Sequence, residues 1–251
     1  MNLAYQFQKE FFDYMDPGSR RSAASVVSLL ATNLKPKSVL DVGCGRGIWL
    51  SEWRRLGMRD CIGVDGPYVD RANLAVPLEC FVAADLSRPI NFDRRFDFVQ
   101  SLEVAQCIDI ACAEVFVDNL CRHSELILFS AAVPGQSGER HVNEQPLEYW
   151  REKFSLRDYI TFDWLRPKIS AISQIEPWYR YNSLLFATGR SASTLPPDIR
   201  ATSIPVGAQI ANIAPLAWRM RNATLRSLPS GVVHRLALAK HKLHNFVGRN
   251  R

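Results

Sequence analysis

The chain of 251 residues lacks any apolar run of the roughly 18 residues that a membrane-crossing helix requires. Its opening stretch, MNLAYQFQKEFFDYMD, contains acids and no apolar core, so it does not read as a secretion signal. No two of the six cysteines (Cys44, Cys61, Cys80, Cys107, Cys112, Cys121) stand as C-x-x-C. They read as reduced core thiols of a cytoplasmic protein. Cys107, Cys112, Cys121 and His123 follow no common zinc spacing, so no metal is expected there. Acid is nearly missing from one region. Between Arg190 and Arg251 there are ten Lys or Arg and one acid, Asp198. The net charge of +6 therefore divides into +9 for this tail and −3 for residues 1–189. The basic balance belongs to an appendage with a partner of its own. Trp218 and Phe246 are the tail's only aromatics, too few for the stacking that nucleic-acid binding uses, so that partner is not expected to be a nucleic acid.

What is present is the balance of a globular protein, 47% hydrophobic and 22% charged. Five aromatics crowd residues 3–15. Asp16-Pro17-Gly18-Ser19 reads as a turn, with Ser19 capping a helix that runs to about Leu34 and stops at Lys35-Pro36. Strand-like runs then alternate with helical ones. The strands are expected at 38–42, 61–65, 80–85, 96–101, 125–131, 158–163 and 182–188, and the helices at 47–57, 110–122 and 144–154. Buried runs alternating with helices predict an α/β fold with a mostly parallel sheet, covered on both faces. SASTLPPD (191–198) reads as a linker or extended arm, and residues 206–228 and 232–247 show helical spacing.

The stretch VLDVGCGRGIWL (39–50) carries the strongest chemical signal. A strand runs into Asp41-x-Gly43-x-Gly45-x-Gly47 and then a helix, with Cys44 inside the turn. Glycines permit the tight turn and let a ligand approach the backbone. Asp65 ends the next strand, 20 residues past Gly45 and just before Gly66, where a carboxylate can accept hydrogen bonds from a ribose diol. A third acid, Asp85, follows the third strand, with Leu86 next. In this order the motifs resemble those of class I S-adenosylmethionine-dependent methyltransferases. The resemblance covers about residues 10–190. It implies a Rossmann-like, seven-stranded doubly wound sheet with an antiparallel last strand near 182–188. It also implies that Asp65 holds the ribose, while Asp85 and the Leu86 backbone face the adenine.

The fourth strand leads into SLEVAQC (101–107), which resembles the S-L-E-V-x-E-H stretch of many small-molecule methyltransferases. In some relatives two glutamates and a histidine there hold a divalent metal. Here only Glu103 remains, beside Gln106 and Cys107, and a neutral amide is a poor Mg²⁺ ligand. Metal-independent transfer is expected, with Ser101 and Glu103 near the cofactor's methionine end or the substrate cleft. After the fifth strand, SAAVPGQSGERHVNEQPLEYW (130–150), together with LRPKI (165–169) and the aromatic approach to 182–188, resembles a bacterial small-molecule or glycan-type branch. Loops beyond the strand C-termini are where open α/β sheets bind ligands. His141 is therefore the candidate general base, because imidazole takes a proton near neutral pH, with Glu144 beside it.

The expected division is a helical lid or cap over 1–35, a donor-binding domain over 36–190, and a linker with a basic helical extension over 191–251. The expected activity is O-methylation of a small molecule or a sugar or glycan hydroxyl. N-methylation of a small amine and a non-catalytic cofactor-binding partner subunit are the alternatives. The tail's apolar faces must be covered by the main domain, a second copy in a homodimer, or an anionic membrane surface.

Overall fold

Burial follows the two-residue period of strands. Val39 and Phe98 face one side of a sheet, whereas their neighbours Leu40 and Val99 face the other. Leu128 and Leu185 face the first side, and Phe129 and Phe186 the second. β1 (Ser38–Val42), β4 (Phe98–Leu102) and β5 (Leu126–Ser130) are buried at every residue, as strands covered on both faces must be. With β2 (Asp60–Asp65), β3 (Phe81–Ala83), β6 (Tyr159–Phe162) and β7 (Leu184–Thr188) they form one sheet. The strand order is β3-β2-β1-β4-β5-β7-β6, and β7 is antiparallel to both neighbours. The structure, a computed structural model, describes residues 6–228 and Val232. Among the described residues no helix is long and apolar enough to cross a membrane.

One face is covered by α1 (Lys9–Leu34), α2 (Ile48–Arg55), α5 (Leu165–Ile169) and α6 (Pro177–Asn182), whose Val27, Trp53, Leu165 and Tyr179 pack together. The other is covered by α3 (Ala113–His123) and α4 (Leu147–Ser155), through Phe116, Leu120, Trp150 and Phe154. The strand order reverses between β1 and β4, which opens a crevice at their carboxyl ends.

Three sequence expectations change. The turn at Asp16–Ser19 does not form: α1 begins at Lys9 and runs through Pro17. Tertiary contacts outweigh the proline there. Arg46 bonds the carboxylates of Asp13 and Asp16 at 2.8 and 3.0 Å. Ser19 Oγ meets the Tyr179 hydroxyl at 3.1 Å instead of capping a helix. A Cβ on Gly18 would lie 2.5 Å from Glu176 Oε1, so the glycine lets α6 approach. Secondly, 191–198 is not an arm. α7 (Gly189–Thr194) and α8 (Pro197–Arg200) follow β7 directly, with Ala192, Leu195 and Ile199 in the core. Ile204 N–H then donates to Thr161 O at 2.8 Å, tying the chain to β6. Thirdly, helix within 206–228 is confined to α9 (Leu216–Arg226). The helix expected at 232–247 lies outside the described residues, Val232 apart.

Candidate active site

A cavity of about 570 Å³ opens at the carboxyl ends of the strands beside this reversal. Its floor is the β1–α2 turn. Gly43 has φ +83, and a Cβ there would lie 2.2 Å from a Val104 methyl. Gly47, the N-cap of α2, has φ +78 with Val76 at 2.8 Å. Both positions need a residue without a side chain. The turn is sewn to β2, since Gly43 N–H donates to Val64 O at 2.8 Å.

Asp65 is buried at the end of β2. One carboxylate oxygen, Oδ1, accepts from Gly66 N–H at 2.6 Å and from the Tyr68 hydroxyl at 2.5 Å. The other, Oδ2, accepts from Gly45 N–H at 2.7 Å. Burial raises its pKa, and the hydrogen bonds from Tyr68, Gly66 and Gly45 oppose the rise. A carboxylate offers about four lone-pair sites, so Oδ2 keeps one for a ligand hydroxyl. A second hydroxyl requires Tyr68 to yield.

Gly43, Cys44, Gly45, Asp65, Gly66, Asp85, Leu86 and Glu103 all line the cavity. Asp85 Oδ1 accepts from the backbone and hydroxyl of Ser87 at 3.0 and 2.6 Å, an arrangement that lowers its pKa. Cys44 is buried, and its thiol pKa is pushed well up by burial. Asp41, Gly47 and Ser101 stand behind the wall. Ser101 Oγ donates to Val42 O at 2.8 Å and so fastens β4 to the end of β1. Asp41 is buried, with a pKa raised to about 7 by burial, and its Oδ2 has no hydrogen-bond partner in the structure.

Glu103 is half-buried where β4 gives way to the cavity wall, at φ +60. Non-glycine residues are uncommon there. Its N–H holds it by donating to Ser130 O and Oγ at 2.9 and 3.1 Å. Gln136 Nε2 donates to Glu103 Oε2 at 2.6 Å. Asn182 Nδ2 donates to Gln136 Oε1 at 2.7 Å and reaches Glu103 Oε1 at 3.5 Å. Desolvation pushes the Glu103 carboxyl up to about 7, against the hydrogen bonds from Gln136, Ser130 and Asn182.

His141 and Glu144 meet each other rather than the cavity. Nδ1 of His141 lies 2.7 Å from Glu144 Oε1. The same carboxylate accepts from Ser137 N–H at 2.6 Å and Gly135 N–H at 2.7 Å, so it closes the loop upon itself. The loop residue that lines the cavity is Arg140. Gln106 is likewise occupied. Its Oε1 accepts from Ala132 N–H at 3.1 Å, and its carbonyl accepts from Val142 and Asn143 N–H. Among the described residues no group of three or more His, Cys, Asp or Glu is placed to hold a metal.

Sequence reasoning missed Arg46, Tyr68, Trp49 and Tyr179, all of which line the cavity. Arg46 stood inside the glycine motif and Tyr68 three residues past Asp65. For Trp49 and Tyr179, whose rings meet edge-on at 5.0 Å, only the fold brings the pair together.

A family model described as a methyltransferase domain matches residues 14–160. A malonyl-[acyl-carrier protein] O-methyltransferase of Pseudescherichia vulneris is 28% identical over 131 residues, 51% of this chain and 52% of that protein. The chain thus spans about half the length of the curated relative it matches. Among solved structures, the sugar N-methyltransferase KedS8 of a Streptoalloteichus species superposes with a TM-score of 0.57 at 16% identity. That match covers 75% of this chain and 95% of the other. The methyltransferase domain of bacterial CtHen1-C superposes with a TM-score of 0.50 at 16% identity, over 68% of this chain and 99% of that one. Both likenesses are of fold. With more than half its length matched by the family model, its glycine turn intact and acids at its strand ends, the chain belongs to the methyltransferase-domain family.

Proposed function

We propose that the chain is an S-adenosylmethionine-dependent methyltransferase that O-methylates a small molecule or sugar hydroxyl. When bound, S-adenosylmethionine supplies a sulfonium-activated methyl group. The glycine turn lets its backbone come close, the spare lone pair of Asp65 Oδ2 accepts a ribose hydroxyl, and Asp85 with the Leu86 backbone borders the adenine end. The residues fit: Gly43 and Gly45 line the cavity at positive φ with no side chain to block a ligand, and Asp65 is a buried carboxylate with acceptor capacity left over.

The observation that carries the O-methyl reading is Glu103, a carboxyl on the cavity wall with its pKa moved to about 7. A base of that pKa takes a proton at neutral pH. With the donor bound, Glu103 would receive the hydroxyl proton as the methyl group passes to the acceptor oxygen. His141 and Glu144 serve by holding the loop that carries Gln136 and Arg140. Transfer proceeds without a metal, because Gln106 already spends its amide oxygen on Ala132.

The test is calorimetry with S-adenosylmethionine, then transfer of an isotopically labelled methyl group to pools of hydroxyl and amine acceptors, with and without EDTA. Labelled ethers and unchanged rates in EDTA are expected. Labelled amines alone would move the reading to N-methylation. Donor binding without transfer to any pool would leave a non-catalytic partner subunit.

Asp65→Ala is expected to weaken donor binding by about 1.5–3 kcal/mol, the usual effect of losing hydrogen bonds to a charged group. Calorimetry checks this, and an unchanged affinity would remove Asp65 from the ribose site.

A further inference from the structure

We infer that α9, the helix of the basic C-terminal extension, is a positioning element for the cavity carboxylate Glu103, acting through the Gly135–Gln136 turn. The inference rests on the reading of Glu103 as proton acceptor and extends it to a part of the chain outside the matched family region. The turn is gripped from two sides. On the inner side Glu144 accepts from the N–H groups of Gly135 and Ser137. On the outer side Arg221 Nη1 donates to the Gln136 carbonyl at 3.1 Å and to Asn222 Oδ1 at 2.9 Å. Gly135, at φ +85, lies so close to α9 that a Cβ would be 2.1 Å from Asn222 O. The Arg221 guanidinium sits 4.8 Å from the centre of the Trp218 ring, and that ring lies 6.2 Å from Tyr181, beside Asn182.

Both arms of the grip thus reach the amides around Glu103. Gln136 and Asn182 are each buried, with 5% and 3% of their surface exposed. Gln136 has one carboxamide to spend: its Nε2 donates to Glu103 and its Oε1 accepts from Asn182. A long side chain keeps such a geometry only if its backbone is fixed. Glu144 fixes the turn's N–H groups, and α9 fixes its carbonyl. The titratable and charged groups facing Glu103 from other elements include Cys107 after β4, Glu144 in the loop and Tyr179 on α6, and Arg140 lines the same cavity. The amides that donate to the Glu103 carboxylate are Gln136 at 2.6 Å and Asn182 at 3.5 Å. Arg221 and Asn222 are positioning residues, since neither lines the cavity.

The test reads the ionisation of Glu103 directly. Full-length protein labelled with ¹³C-glutamate is titrated by NMR, and the Glu103 carboxyl is assigned by its loss in Glu103→Gln. In Arg221→Ala the midpoint is expected to rise by about 0.5–1 pH unit, because a loosened Gln136 donates less well to the charged form. Arg221→Lys, which keeps a donor for the carbonyl, is expected to stay near wild type. Under saturating donor, Arg221→Ala also lowers kcat about tenfold, while the Kd for S-adenosylmethionine is unchanged. Should Arg221→Ala not fold, Gln136→Asn tests the inner link by shortening the donor alone, with the same expected rise. An unmoved midpoint in the folded variants overturns the inference, even if thermal stability falls. If the midpoint moves while Glu103→Gln keeps wild-type kcat, the positioning holds and the proton-acceptor reading fails.

Discussion

Glu103→Gln is expected to lower kcat by about 10²–10⁴-fold while donor binding stays intact, the range typical of losing a general base. The amide preserves the size of the side chain and can still meet Gln136, so a folding defect is not the expected cause of the loss. The sign of the pH dependence follows from the same group. Burial holds the Glu103 carboxyl at about 7, above the usual carboxylate range, and only its charged form accepts a proton. Wild-type kcat is therefore expected to be full above this value and to fall as pH drops through about 7. In Glu103→Gln that acid limb should vanish. His141→Ala provides the contrast. Its ring is spent on Glu144, so its loss should disturb the loop and the acceptor KM more than the pH limb. If His141→Ala instead erases the limb and Glu103→Gln does not, the base is the histidine.

That Gly43, Gly45, Asp65 and Asp85 come to one cavity was legible because the signals are local: a strand run followed by a glycine turn fixes where the strand ends point, although Asp41, Gly47 and Ser101, read with them, stand behind the wall. The seven strands were legible for a related reason: continuous burial in β1, β4 and β5 writes itself as apolar runs. The orientation of the loop after β5 was not legible. Whether a loop histidine faces a cavity or a neighbouring glutamate depends on which backbone N–H groups the glutamate meets, and Gly135 and Ser137 are placed by the loop as a whole. Composition misled at 191–198, where small and polar residues suggested a linker. The apolar residues Ala192, Leu195 and Ile199 nonetheless recur at helical spacing, interrupted by a proline pair, and all three are buried. The tail drew attention by its charge. The contact that matters in α9 is one guanidinium on one neutral carbonyl, and no charge count foretells it.

Replacing Asp13 and Asp16 together by alanine is expected to destabilise the fold by about 2–4 kcal/mol, measured by denaturant unfolding without cofactor. Breaking a buried ion pair typically costs about 3–5 kcal/mol because it leaves an uncompensated charge. The lower range applies here because both carboxylates keep some solvent, with 31% and 22% of their side chains exposed, whereas Arg46 shows only 6%. The Arg46 guanidinium also lies 5.1 Å from the centre of the Phe12 ring, and its Nε has no hydrogen-bond partner in the structure. The guanidinium's one other hydrogen bond among the described residues is long, from Nη2 to the Lys9 carbonyl at 3.5 Å. This bears on the lid expected over residues 1–35. A lid that opens freely would give up little stability when cut. The first turns of α1, however, carry Phe12 into the core and both partners of a buried cation in the glycine turn. Deleting residues 1–15 should therefore lower the melting temperature as well as raise the acceptor KM. The double substitution separates the two effects, since it leaves the aromatics Phe7, Phe11 and Phe12 in the chain. A variant as stable as wild type would show that Arg46 finds water or another partner, and would restore the segment to the role of a movable cover.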